Sequence, residues 1–166
     1  MSLPLNALPP DSLIRFSWVL DRRLAVGSAP RTYEALRRRG FTAAVSLQED
    51  SEVGPAHETV PRDFDAFRIP IRDGVAGGVP TVEQVARAAV LVKKLLDDGH
   101  TTYVHCYAGV GRSPMACVAY LARFEKMTLE EATALVLARH AFAAPNDVQV
   151  EAVERYLAME LENPKL

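Results

Sequence analysis

Apolar residues in this chain fall into short blocks broken by Gly, Pro and charge, and the period of the blocks changes along its length. Phe16 to Leu20 and Leu24 to Val26 read as two short strands around the charged turn Asp21-Arg22-Arg23. Gly27 ends the second, and Ser28 with Pro30 predicts a helix through Arg39, closed by Gly40. Phe41 to Leu47 (FTAAVSL) is apolar and β-competent, a candidate central strand. Gln48 to Asp63 is polar, holds Gly54, Pro55 and Pro61, and predicts a long surface loop. Phe64 to Ile71 alternates as a strand does. It runs into a loop, Arg72 to Pro80, whose three glycines predict mobile backbone.

From Thr81 the period lengthens to that of helices. Thr81 and Gln84 carry a capping-box signature, and Val82, Val85, Ala89, Val92 and Leu96 share one helical face before Gly99. Thr101 to His105 is a β-branched strand. A Gly-containing loop and an apolar helix from Ser113 to Phe124 follow, with Pro114 in the first turn, where its missing N–H costs nothing. Thr128 and Glu131 open a helix ending near Arg139, and Pro145-Asn146-Asp147 starts a last one, Val148 to Leu161. This alternation predicts an α/β fold: a small, mostly parallel (mixed) sheet flanked by helices in three layers. No repeat or linker interrupts it, so residues 1–166 are expected to form one domain, with 1–15 as a Pro-marked lead-in.

Composition narrows the function classes. The 166 residues are 49% hydrophobic and 24% charged, as in ordinary globular proteins. A net charge of -2 argues against generic nucleic-acid binding. No apolar run reaches the roughly 18 residues of a membrane span, and the first ten residues lack the pattern of a signal peptide. Two cysteines, Cys106 and Cys117, make no disulfide framework, which points to a reducing cytoplasm. The four histidines and two cysteines show no zinc spacing, so no metal is expected. Arg37, Arg38 and Arg39 fan around a helix and read as a solvated face rather than a binding patch.

The stretch from His105 to Ser113 carries the chemistry. A strand delivers Cys106 to the sheet's C-terminal edge, where open α/β folds bind ligands. The residues after it, Tyr107, Ala108, Gly109, Val110 and Gly111, form a tight loop whose glycines let backbone N–H groups turn inward together. The next helix aims its unsatisfied N–H groups and dipole into the same concavity, a pocket for a tetrahedral dianion. Arg112 adds a planar fork for two phosphate oxygens. The same field favours the thiolate of Cys106, placed for in-line attack on a bound phosphate. The bare C-x5-R pattern is weak; the strand before it, the two glycines, the hydroxyl residue and the helix after it make it specific.

HCYAGVGRSP resembles the signature loop of the cysteine-dependent protein tyrosine phosphatase superfamily, and the layout resembles its dual-specificity branch. The likeness runs from Trp18 to Leu161 and includes GSAP at Gly27 to Pro30, SLQED at Ser46 to Asp50, the IPIRDG loop and PN-x-x-Q at Pro145 to Gln149. It implies a two-step, cofactor-free phosphatase with Cys106 as nucleophile and Arg112 as phosphate clamp. Asp73 is the expected acid and base, with Asp50, Asp63 and Asp65 as alternatives, and Ser113 is expected to help the thiolate leave. His105 is expected to orient the loop by hydrogen bonding, and His57, His100 and His140 to lie at the surface. Cys117 reads as a buried core residue rather than a resolving thiol. Tyr107 flanks the mouth, while Arg72 either assists an anionic substrate or is merely solvated.

The expected substrate is a phosphotyrosine protein, with phosphoserine and phosphothreonine also admitted. A phosphoinositide would favour lysines where Tyr107 and Val110 stand, and a glucan would favour a carbohydrate-binding module. The alternative of another class is a phosphate-reading module without turnover. The expected partner is thus a phosphorylated protein or another phosphomonoester, with no nucleic acid and no membrane span, and the expected state is a monomer.

Overall fold

The computed structural model describes residues 15–54 and 59–162, so the lead-in before Arg15 and His57 lie outside the described residues. Five strands form one sheet: β1 (Phe16–Leu20), β2 (Leu24–Gly27), β3 (Ala43–Ser46), β4 (Asp65–Arg68) and β5 (Thr102–His105). Their spatial order is β1-β2-β5-β3-β4; β1 pairs antiparallel with β2 and the other pairs are parallel. The mixed, mostly parallel sheet is the one its alternating pattern implies. Five α-helices accompany it: α1 (Tyr33–Arg38), α2 (Val82–Asp97), α3 (Arg112–Phe124), α4 (Leu129–Arg139) and α5 (Asp147–Glu162).

Strand parity sorts the two faces of the sheet. Val26, Val45 and Val104 point into the main core with α2, α3, α4 and α5. Ala25, Ala44 and Tyr103 point the other way, where α1 brings Tyr33 and Leu36 against Phe41 and Phe64. The helices α3 and α2 pack together beneath the sheet, and α3 buries Met115, Val118 and Leu121. Each such side chain contributes about 1.5–3 kcal/mol when fully buried. Thr81 with Gln84 and Thr128 with Glu131 both form reciprocal capping boxes, which fixes where α2 and α4 begin.

Three expectations need correction. The predicted helix from Ser28 is shorter: Thr32 caps it through Ala35 N–H, and Ser28 to Arg31 stay outside. Here the Ala29 N–H donates to Tyr107 O at 2.9 Å, which ties this segment to the loop after β5. The segment after Leu47 is not simply a surface loop either. Gln48 is buried, and Asp50–Glu52 forms a 3-10 turn closed by reciprocal bonds between Glu49 and Glu52. Strands β3 and β4 are also shorter than their apolar runs, although single backbone bonds continue beyond them, from Leu47 N–H to His105 O, Ile69 N–H to Ser46 O and Ile71 N–H to Leu47 O.

Candidate active site

The central strand β5 lies between β2 and β3 with Gly27, Ser46 and His105 in register, so three strands end together just below Cys106. Parity sends His105 to the α1 side and Cys106 to the α3 side. Both are buried. His105 Nδ1 lies 3.2 Å from Cys106 O, and because a carbonyl only accepts, Nδ1 carries the proton. Nε2 then accepts from the Tyr33 hydroxyl at 3.3 Å. Burial pushes the Tyr33 hydroxyl up to about 12, which keeps it a donor at neutral pH.

Beyond Cys106 the chain makes a tight loop into α3, whose N-cap Gly111 spends no side chain on the first-turn amides. Gly109 has φ +74°, and a Cβ there would come within 2.7 Å of Gly27 C and Ser28 N, so the loop needs glycine twice over. A Cβ on Gly111 would meet Gln149 Oε1 at 2.7 Å. Gln149 is itself fixed by reciprocal bonds with Asn146: Asn146 N–H donates to its Oε1 (2.9 Å), and Gln149 N–H donates to Asn146 Oδ1 (2.8 Å).

The structure brings the expected chemical groups into one cleft of about 260 Å³, lined by Asp73, Cys106, Gly111, Arg112, Asn146 and Gln149. Ser113 Oγ sits 3.4 Å from Cys106 Sγ and donates to Gly27 O at 3.1 Å. Ser113 is the second residue of α3 rather than its cap. Arg112 is 2% exposed. Its Nη1 and Nη2 bind Glu52 at 2.7 and 2.6 Å, Nη1 also reaches Ile71 O at 2.8 Å, and Nη2 reaches Asp73 Oδ2 at 3.2 Å. The guanidinium Nε–H keeps no partner among the described residues. Glu52, which the sequence reading placed in a loop without a role, is the side chain that aims this fork. Its bond to Arg112 holds the carboxyl below the usual range against the opposing effect of burial.

Asp73 stands at the start of a 3-10 turn, Gly74–Ala76, and its Oδ1 accepts from Val75 N–H. The alternative carboxylates lie elsewhere. Asp65 opens β4 at the opposite end of the strands, beside His100; Asp63 sits in the turn before it; and Asp50 pairs with Arg68. Arg37 and Arg38 engage Glu34 on an exposed face, Arg72 is exposed, and Tyr107 is 54% exposed. Cys117 is buried in the main core, which pushes its thiol up and keeps it protonated.

The surface assignment of two histidines is corrected. His100 is half-buried between Thr42 and Asp65. His140 is 1% exposed, with Nε2 at 2.9 Å from Gly109 O and Nδ1 at 2.8 Å from Ser17 Oγ. The small, mostly apolar stretch after α4, from His140 to Ala144, carries no local pattern that shows the chain turning back onto the loop there.

Three known proteins are similar to this chain. A phosphatidylglycerophosphate phosphatase of Arabidopsis thaliana, PTPMT2, is 29% identical over 123 residues, 71% of this chain and 53% of that protein. Dual specificity protein phosphatase 1-A of Xenopus laevis is 36% identical over 128 residues, 74% of this chain and 32% of that one. The chain thus spans about half or less of these relatives. The crystal structure of human DUSP28 superposes with a TM-score of 0.72 at 23% identity, covering 91% of this chain and 100% of that one. Residues 24–157, from β2 into α5, match the family model for the dual specificity phosphatase catalytic domain, and the chain belongs to that family.

Proposed function

We propose that the protein hydrolyses phosphomonoesters, foremost phosphotyrosine in proteins, through a covalent phosphocysteine. The observation that carries this reading is the meeting of Cys106, Arg112 and Asp73 in one cleft, with the buried Ser113 hydroxyl against the Cys106 thiol. In the first step the Cys106 thiolate attacks phosphorus, an S–P bond forms, the ester P–O bond breaks, and the leaving oxygen takes the Asp73 proton. In the second, water attacks phosphorus and gives a proton to Asp73, and the P–S bond breaks. The Ser113 O–H turns from Gly27 O to the departing sulfur. Arg112 and the loop amides hold the phosphoryl oxygens as charge moves among them.

Tyr107 and Val110, where a multiply charged ring would favour lysine, support a singly phosphorylated group at the mouth. A second reading, a phosphomonoester with a lipid tail, is supported by the apolar cleft residues Val75, 98% exposed, and Val110. We further propose one catalytic domain acting as a monomer in the cytoplasm; both described cysteines are free thiols, which suits a reducing compartment and a thiolate nucleophile. Among the described residues no helix is long and apolar enough to cross a membrane.

The test is phosphate release from p-nitrophenyl phosphate, phosphotyrosine and phosphothreonine peptides, a phospholipid monoester and phosphorylated glucan, with Cys106→Ser as control. Fastest turnover of the phosphotyrosine peptide, lost in the control, is expected. Turnover of lipid or glucan alone would keep the chemistry and overturn the substrate class. Retention of phosphopeptide without any release would leave a phosphate-reading module.

A further inference from the structure

The loop over Cys106 is held from outside by its carbonyls. Cys106 O accepts from His105 Nδ1, Tyr107 O from Ala29 N–H and Val110 O from Ala144 N–H. The remaining tie, at Gly109 O, comes from the side chain of His140. A trans peptide is planar with its C=O and N–H opposed, so a carbonyl drawn outward turns the N–H of the next residue inward. His140 and Ala144 therefore set the direction of the Val110 and Gly111 amides, beside the Cys106 thiol in the cleft.

The imidazole is gripped at both ends. Gly109 O can only accept, so Nε2 carries the ring proton. Nδ1 must then accept, and the Ser17 hydroxyl of β1 supplies the donor at 2.8 Å. Burial holds the ring below its usual range, in keeping with this neutral form. The ring also follows directly on α4, as that helix's C-cap, so one side chain links an edge strand, a helix end and the phosphate loop.

We infer that His140 is a positioning residue of the phosphate site, a latch that holds the Gly109–Val110 peptide with its N–H toward the bound oxyanion. The inference rests on the phosphatase reading and adds to it a residue far from the signature loop in sequence. A merely structural histidine would support folding alone. A latch also sets how well the folded protein binds a phosphate-like anion.

The experiment compares wild type, His140→Ala, His140→Gln and Ser17→Ala. It reads inhibition of p-nitrophenyl phosphate turnover by inorganic vanadate, KM and kcat separately, and thermal stability. Loss of one buried bond to the loop should weaken vanadate roughly tenfold and raise KM in His140→Ala. Glutamine can present an N–H at similar reach, so His140→Gln should recover most of the affinity. Ser17→Ala, which frees Nδ1 alone, should show a smaller loss in the same direction, and it carries the test if His140→Ala fails to fold. Wild-type vanadate affinity in folded His140→Ala, no recovery in His140→Gln, or an unchanged Ser17→Ala would overturn the latch. A wild-type protein that neither turns over p-nitrophenyl phosphate nor binds vanadate would overturn the phosphatase reading along with it.

Discussion

The loop from Cys106 to Arg112 and the loop from Arg72 to Pro80 face each other across one cleft, and they are held in opposite ways. The first is tied to the turn after β2, to the connection between α4 and α5, and through Arg112 to Glu52; Cys106 and Arg112 are both 2% exposed. The second bonds mostly to itself: Ala76 N–H and Gly78 N–H both donate to Asp73 O, and Val75 N–H donates to the Asp73 carboxylate. Among the described residues, the Asp73 side chain bonds to the rest of the site through its 3.2 Å contact with Arg112. Groups that recognise a fixed tetrahedral charge gain from being set in advance, because no reorganisation is then needed as the reaction proceeds. A carboxyl that must give a proton to a leaving oxygen and later take one from water gains from a turn that can shift without disturbing the anion site.

Substitutions should separate the two loops. Cys106→Ser removes the nucleophile and should reduce phosphate release to background while inorganic vanadate still binds, which calorimetry would check. Asp73→Asn should leave anion binding intact and slow a phosphotyrosine peptide by roughly 10²–10⁴-fold. The loss should be smallest for p-nitrophenyl phosphate, whose leaving group needs no proton. Undiminished peptide turnover in Asp73→Asn would assign the proton to another group. Glu52→Gln keeps the shape but loses the charge opposite Arg112, and should lower kcat/KM by about tenfold, chiefly through KM. A fall confined to kcat would place Glu52 with the acid loop instead.

The smallest effect concerns pH. Burial lowers the His140 ring from its ordinary 6.5, so the unfolded chain takes up a proton first as pH falls. The stability linked to this ring is complete above about 6.5 and is lost progressively as pH falls through the lower folded value. Urea unfolding across that window should show a decline in wild type and a shallower one in His140→Gln.

Much of this contrast was legible in the sequence because its parts are contiguous. Cys106 to Ser113 lie on one loop and one helix start, and the glycines around Asp73 mark a turn wherever they occur. The supports were harder to see. Glu52 meets Arg112 across 60 positions and His140 meets Gly109 across 31, separations that no local pattern encodes. The capping boxes of α2 and α4 depend on residues three apart and were readable in advance. The start of α1 differs from the expectation because Thr32, not Ser28, supplies the cap, accepting from Ala35 N–H. Cys117 was readable because a small residue within an apolar helical run has few places to go except the core.

The central claim is that phosphoryl passes through Cys106 while Asp73 manages the protons. The most direct test uses Asp73→Asn turning over p-nitrophenyl phosphate, where the first step needs no acid and the second lacks its base. The reaction is stopped in denaturant during turnover, and the peptide containing Cys106 is examined by mass spectrometry. A phosphoryl group on Cys106 is the predicted result; nitrophenol release with that peptide unmodified throughout would contradict the account.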